Sequence, residues 1–283
     1  MSKLSAYVLT FNEEGKIRDA LASITWADEI VVLDSHSTDR TEQICREFTD
    51  KIYQCDFEGF GKLRNRALEL VTHDWVFSLD ADERVTEELR KEIQTELAQA
   101  SRADAFFVPR KNLFLGRWIR HCGWYPDYRQ PQLFNKHRLR YREDLVHEGF
   151  ELDGKSAYLR GHVLQVPFLD LGQYLRKMSR YSTLRAEQMA QRGWTFQRHQ
   201  LITHPIFTFL KMYGLRQGFR DGMPGLILSL LYAYYTFVKY AKLWEQQKPL
   251  LCKEGRGEVE RGLSLPHPAS PYKGEGSEGG RQP

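Results

Sequence analysis

Three features of this 283-residue chain predict an α/β protein with a largely parallel sheet and a C-terminal helical extension. Strand-like and helix-like segments alternate four times in the first 100 residues, the pattern of successive βαβ units. The strand candidates, Leu4 to Leu9, Glu29 to Asp34 and Trp75 to Asp80, are near-continuous apolar runs, as expected where both faces of a sheet are covered. Each run stops abruptly at polar residues, and open α/β sheets place their ligand sites beyond such strand ends.

The first run closes in Thr10-Phe11-Asn12-Glu13-Glu14, and the helix after it carries Leu21, Ile24 and Trp26 on its apolar side. The second ends in Asp34-Ser35-His36-Ser37-Thr38-Asp39-Arg40-Thr41, a loop rich in capping residues, before a short helix through Phe48. Lys51 to Gln54 is a weaker strand. Gly59-Phe60-Gly61 then opens a basic helix, Lys62 to Val71. From Ala103 short antiparallel pieces are expected: Ala105 to Val108, Gln132 to Asn135, Leu139 to Tyr141, Ala157 to Leu159 and Val163 to Val166. Helices follow, from Leu171 to about Gly193, from about His199 to Arg220, and from Pro224 to about Gln247. The stretch after Pro249 is rich in Gly, Pro, Ser and Glu, with too few large apolar residues to order itself.

Several classes are disfavoured. The dinucleotide glycine fingerprint is missing after the first strand, and the Gly61-Lys62 pair lacks the other residues of a Walker A loop. Cys45, Cys55, Cys122 and Cys252 have no metal-type spacing, and no signal peptide precedes the first strand, so a reducing cytoplasmic setting is expected. The net charge of +4 is too small to imply a partner by itself.

The fourth strand runs into Asp80-Ala81-Asp82-Glu83. Carboxylates at a strand end can share a hard divalent cation, which takes one or two of them and completes its shell with substrate phosphates. Taken alone, the same residues read better as a helix start, with Asp80 or Asp82 as cap, Glu83 in the first turn and Thr86 opening the helix.

In order and spacing, the four strand-end stretches resemble the nucleotide-sugar half of family-2 glycosyltransferases with the GT-A fold. The Asp-Ser-x-Ser-Thr-Asp-x-Thr run and the Asp-x-Asp carry most of that resemblance, which covers roughly the first 165 residues. Asn112 to Arg117, His121-x-Gly123-Trp124-Tyr125-Pro126-Asp127, Asp144-Leu145-Val146-His147-Glu148 and the helix around Tyr235 to Tyr240 look like the subgroup that adds glucose to inner-core heptose of bacterial lipopolysaccharide.

The resemblance implies an inverting, UDP-sugar-dependent enzyme on a mixed GT-A sheet with flanking helices. Residues 1–100 would be its nucleotide-sugar half, 101–170 its acceptor side, 171–248 a basic helical extension and 249–283 a disordered tail. Thr10, Asn12, Glu13, Asp34, Ser37, Lys62, Arg64, Asn65, Asp80 and Ala81 would face the donor, with Asp34 on the uracil. Asp80 and Asp82, with His147 as a further ligand, would hold Mg²⁺ or Mn²⁺. Glu148, or failing it Asp144, would be the general base. Trp124, Tyr125, Asp127 and Arg129 would meet the acceptor.

A nucleotidyltransferase would also use paired carboxylates and a nucleotide. The acidic strand ends argue against a nucleic-acid-binding module despite the basic helices. From Leu171 to Arg220 nine cations face one acid, Glu187, and 222–238 carries no formal charge. With a lipid-linked oligosaccharide acceptor, this points to a peripheral enzyme on the anionic inner leaflet of the bacterial inner membrane.

Overall fold

A computed structural model describes residues 2–99, 101–143 and 149–248. Its centre is a seven-stranded mixed sheet. Its N-terminal strands are β1 (Leu4–Thr10), β2 (Glu29–Asp34), β3 (Ile52–Gln54) and β4 (Trp75–Asp80), all mutually parallel, with β1 between β2 and β4. The helices α1 (Ile17–Ala22), α2 (Thr41–Cys45) and α3 (Phe60–Leu70) make the crossovers. The first helix is shorter than expected: Ile24 and Trp26 lie in the turn after it, where Trp26 donates its indole N–H to the Ser23 carbonyl at 2.8 Å.

After β4 the chain forms β5 (Glu83–Val85), a strand the sequence pattern did not separate from the helix start, and then α4 (Glu87–Ala98). Thr86 caps α4, accepting from the Leu89 amide, and Glu87 and Glu88 complement its dipole. The remaining strands are β6 (Ala105–Phe107), β7 (Arg110–Phe114), β8 (Arg117–Trp118), β9 (Pro131–Asn135), β10 (Leu139–Tyr141), β11 (Phe150–Leu152), β12 (Ser156–Tyr158) and β13 (Val163–Gln165). Strands β9, β6 and β12 extend the large sheet beyond β4, so one sheet serves both halves of the domain. Not all these pairings are antiparallel as expected: β12 runs parallel to β6, and β13 parallel to β7. Both are three-residue strands delivered by loops, so periodicity says nothing of their direction.

One sheet face buries Val8, Ile17, Leu21, Phe77, Leu79, Ile93 and Phe106 under α1 and α4. The other buries Tyr7, Leu9, Val31, Leu63 and Phe134 under α3 and β10. A third core joins Phe114, Ile119 and Trp124 to the C-terminal helices α5 (Leu171–Gln191) and α7 (Gly222–Gln247) through Tyr174, Met178 and Leu228. Between these two lies α6 (Gln200–Phe209), continued by a π-helical turn, Leu210–Leu215, and a 3₁₀ turn, Gly218–Asp221. Among the described residues no helix is long and apolar enough to cross a membrane.

Candidate functional site

Strand register assembles the site. Thr10 lies opposite Asp34, and Leu9 opposite Asp80, so three polar strand ends share one rim. Asp34 is fully buried and closes its own loop: the Ser37 amide donates to Oδ2 at 2.8 Å and the Ser37 hydroxyl to Oδ1. The loops after β1 and β2 latch together. Asn12 sits at φ 51°, donates its amide to Ser37 Oγ and accepts from the Thr38 amide at 2.7 Å. The Glu13 amide donates to Thr41 Oγ1, and the Glu14 amide to Asp39 Oδ2. Asp39 also accepts from the Thr41 amide, which makes it a local cap.

The three carboxylates after β4 have different surroundings. Glu83 is wholly buried: Arg110 Nε donates to it at 2.5 Å, Gln132 Nε2 at 2.8 Å and the Asp80 amide at 3.1 Å. Burial raises its pKa; Arg110 pulls the other way, while Asp80 and Asp82 add to the rise. Asp80 accepts from Arg64 Nη2 at 3.1 Å, and the buried Arg64 is held by Ser78 Oγ at 2.8 Å. Asp82 is 1% exposed. Its Oδ1 accepts from Gln165 Nε2 at 3.2 Å, but its Oδ2 is buried with no hydrogen-bond partner, as is Thr10 Oγ1. Such orphans are uncommon in folded proteins and costly to leave unpaired.

That orphaned oxygen fits a divalent cation in part. No group of three His, Cys, Asp or Glu side chains among the described residues could hold a metal. A cation at Asp82 and Asp80 would therefore draw its remaining ligands from phosphate and water, as Mg²⁺ commonly does.

Two lysines that sequence reasoning did not place here complete the electrostatics. Lys16 Nζ pairs with Glu13 Oε2 at 2.7 Å. Burial raises the Glu13 pKa; Lys16 and Lys177 oppose the rise and Asp82 reinforces it. Burial lowers the Lys177 pKa, with Lys16 acting in the same direction and Asp82 and Glu13 against it. Half-buried on α5, with its Nζ 5.6 Å from the Phe168 ring centroid, Lys177 feels the charges of Asp82 and Glu13. In sequence it is one basic residue among many on its helix.

A polar chain runs from Asp82 through Gln165 and Arg129 to Asp127 and Asn112. Gln165 Oε1 accepts from Arg129 Nη2 at 3.1 Å, Arg129 pairs with Asp127 at 3.0 Å, and Asn112 Nδ2 reaches Asp127 Oδ2 at 3.2 Å. Burial works against ionisation of Asp127, yet Arg129 and Arg110 hold its carboxyl below the ordinary value. Its Oδ1 is a further buried orphan.

Other expected site residues lie elsewhere. Trp124 is buried in the third core and donates its indole N–H to Tyr232 Oη at 3.0 Å, so its ring is a packing element and not an open sugar platform. Asn65 turns towards β10, accepting from the Tyr141 amide and donating to its carbonyl, and so fastens α3 to that strand. Lys62 is exposed and paired with Glu58, and Ala81 is buried. The Tyr125 hydroxyl meets His162 Nε2 at 3.0 Å, and the rings stack. Asp144, His147 and Glu148 lie outside the described residues.

Comparison with known proteins adds to this geometry. The family model described as glycosyl transferase family 2 matches residues 5–164. A lipopolysaccharide core biosynthesis glycosyltransferase, LpsC of Rhizobium meliloti, is 29% identical over 254 residues, covering 86% of this chain and 92% of that protein. An uncharacterized glycosyltransferase of Rickettsia typhi is 28% identical, covering 87% of this chain and 88% of that protein. Among solved structures, S. aureus TarS 1-349 in complex with UDP superposes with a TM-score of 0.46 at 18% identity, covering 87% of this chain and 92% of that one.

Proposed function

Since the chain belongs to the family-2 glycosyl transferases, we propose that it moves a hexose, glucose, from a UDP-sugar to the heptose region of a lipopolysaccharide inner core with inversion. The observation that carries the donor side is the buried, unpartnered Oδ2 of Asp82, on a rim shared with Asp80, Asp34 and Thr10. Asp34, already braced by Ser37, offers remaining lone pairs to a base N–H. Asp80 and Asp82 would hold Mg²⁺ or Mn²⁺, which would supply positive charge to neutralise the departing diphosphate. Arg64 fixes the Asp80 carboxylate, and Gln165 fixes Asp82.

The acceptor hydroxyl loses its proton to Glu148, with Asp144 as the alternative base, as it attacks the anomeric carbon. Tyr125, Asp127 and Arg129 would meet the acceptor, and the polar chain through Gln165 ties Asp127 and Arg129 to the rim. The name of the Rhizobium relative favours a lipopolysaccharide-core acceptor over another lipid-linked one. Such an acceptor places the enzyme on the cytoplasmic face of the inner membrane, against anionic lipid.

A panel of UDP-sugars incubated with purified core lipid tests this reading. UDP-glucose should release UDP in step with the gain of one hexose on the lipid. Transfer only from a non-uridine donor, or pyrophosphate as the product, would defeat it. Glu148→Gln should slow transfer by about 10²–10⁴ with UDP affinity kept; the same behaviour in Asp144→Asn alone would exchange their roles.

A further inference from the structure

The helix α6 contains no buried residue, although it is among the most apolar segments of the chain. Its two sides differ. Leu201, His204 and Thr208 turn towards α7, where His204 Nδ1 meets Tyr240 Oη at 3.2 Å and Thr208 Oγ1 meets Thr236 Oγ1 at 3.3 Å. The opposite stripe, at i, i+4 and i+8, is Ile202, Ile206 and Leu210, joined by Phe207; these are 54–65% exposed. The π and 3₁₀ turns extend the exposure with Leu215 at 77% and Phe219 at 54%. Scattered surface leucines are ordinary, but six large apolar side chains on one short helix and the turns that continue it need a partner.

The charge around them selects that partner. The sole acid between positions 188 and 244 is Asp221. It is buried and occupied by the Arg120 and His121 amides and by His121 Nδ1. Lys211, Arg216 and Arg220 lie within the same apolar segment, with Lys211 Nζ 6.0 Å from the Phe207 ring centroid. Apolar side chains interspersed with long basic ones suit the boundary between acyl chains and anionic headgroups.

We infer that α6 and the turn after it form an apolar keel that inserts into one leaflet of an anionic bilayer. The inference rests on the lipid-linked acceptor of the proposed function and names the element that reaches the lipid. The keel is an element distinct from α5 and from 222–238, whose Ile227, Leu228, Leu231, Tyr232 and Tyr235 pack against the domain. Hydrophobic insertion makes the attachment partly resistant to salt, unlike a purely electrostatic one.

Flotation of the full chain with phosphatidylglycerol-containing vesicles tests it, with no sugar nucleotide present. The wild type should float and keep part of its binding in high salt. Phe207→Asp with Leu210→Asp should cut partitioning by at least about tenfold, with titrated UDP affinity unchanged. Lys211→Glu with Arg220→Glu should weaken binding mainly at low salt. Equal flotation of the Asp variant and the wild type would overturn the keel. So would a wild-type dimer in vesicle-free solution that the Asp variant dissociates, or flotation that appears only once residues 249–283 are removed. Transfer activity is read separately: a floating protein that moves no sugar defeats the proposed reaction and leaves the keel standing.

Discussion

The rim at the ends of β1, β2 and β4 and the α6 segment present opposite kinds of incompleteness. At the rim many polar groups are paired: Asp34 with Ser37, Asn12 with Thr38, Glu83 with Arg110 and Gln132. Several buried polar atoms nonetheless lack partners: Asp82 Oδ2, Thr10 Oγ1 and Ser35 Oγ, and in the Glu83 cluster Arg110 Nη1 and Gln132 Oε1. In α6 the polar accounting is ordinary and it is apolar surface that lacks cover. A polar network with buried orphans suits a small polar ligand, because the cost of an orphan is recovered when binding supplies its partner. A broad uncovered apolar stripe suits an extended, weakly structured partner such as lipid. Substitutions that mix the two roles show whether the division holds.

The largest effect is expected at the buried ion pair beneath the rim. Arg110→Met leaves Glu83 unpaired in the core and should cost about 3–5 kcal/mol, seen as a lower midpoint in denaturant. Unchanged stability with lost turnover would move Glu83 into the chemistry. Next comes Asp82→Asn, which keeps the shape of the rim and removes its charge. Turnover should fall by about 10²–10³ with the melting temperature nearly unchanged. Chelator should mimic the loss in the wild type, and added Mn²⁺ or Mg²⁺ reverse it. An Asp82→Asn enzyme fully active in chelator would remove the cation from the account.

A smaller effect separates architecture from site at the opposite end of β2. Glu29 is buried; burial would raise its pKa, but bonds from Lys51, Ser5 and Thr72 outweigh that and hold it near 2, below the ordinary 4.5. A depressed carboxyl stabilises the fold above the unfolded-state pKa and loses that contribution as pH falls through the folded one. Glu29→Gln should therefore cost about 1–3 kcal/mol near neutrality. Its deficit should shrink between about pH 4.5 and 2 in acid-denaturation curves. A deficit independent of pH would mean lost shape and not lost charge.

The parallel half of the sheet was legible because buried parallel strands are written as apolar runs and their ends as abrupt polar stops. Glu29–Asp34 and Trp75–Asp80 form as read, and the first strand runs one residue past Leu9, to Thr10. The short strands were less so: β5, β7, β8 and β11 are two to five residues long, too short for periodicity to register. Within the site, residue type marked which carboxylates gather but not how they divide the work. That Glu83 serves Arg110 while Asp82 keeps a free oxygen depends on Gln132 and Gln165, which arrive from distant strands. Trp124 and Asn65 show the same limit, since an aromatic and an amide read alike whether they meet a ligand or a neighbouring element. Lys177 was hidden for the opposite reason: α5 also carries Arg176, Arg180 and Arg185, and only packing distinguishes among its cations.

The most direct test of the donor rim is calorimetric titration of UDP into the wild type, Asp82→Asn and Lys177→Met, each with and without Mn²⁺. Binding to the wild type should strengthen sharply with the cation. Asp82→Asn should lose that dependence. Lys177→Met should keep it but bind UDP about tenfold more weakly, the loss of one charged contact. Equal UDP affinity in all three proteins, with no response to Mn²⁺, would contradict the assignment of this rim as the donor site.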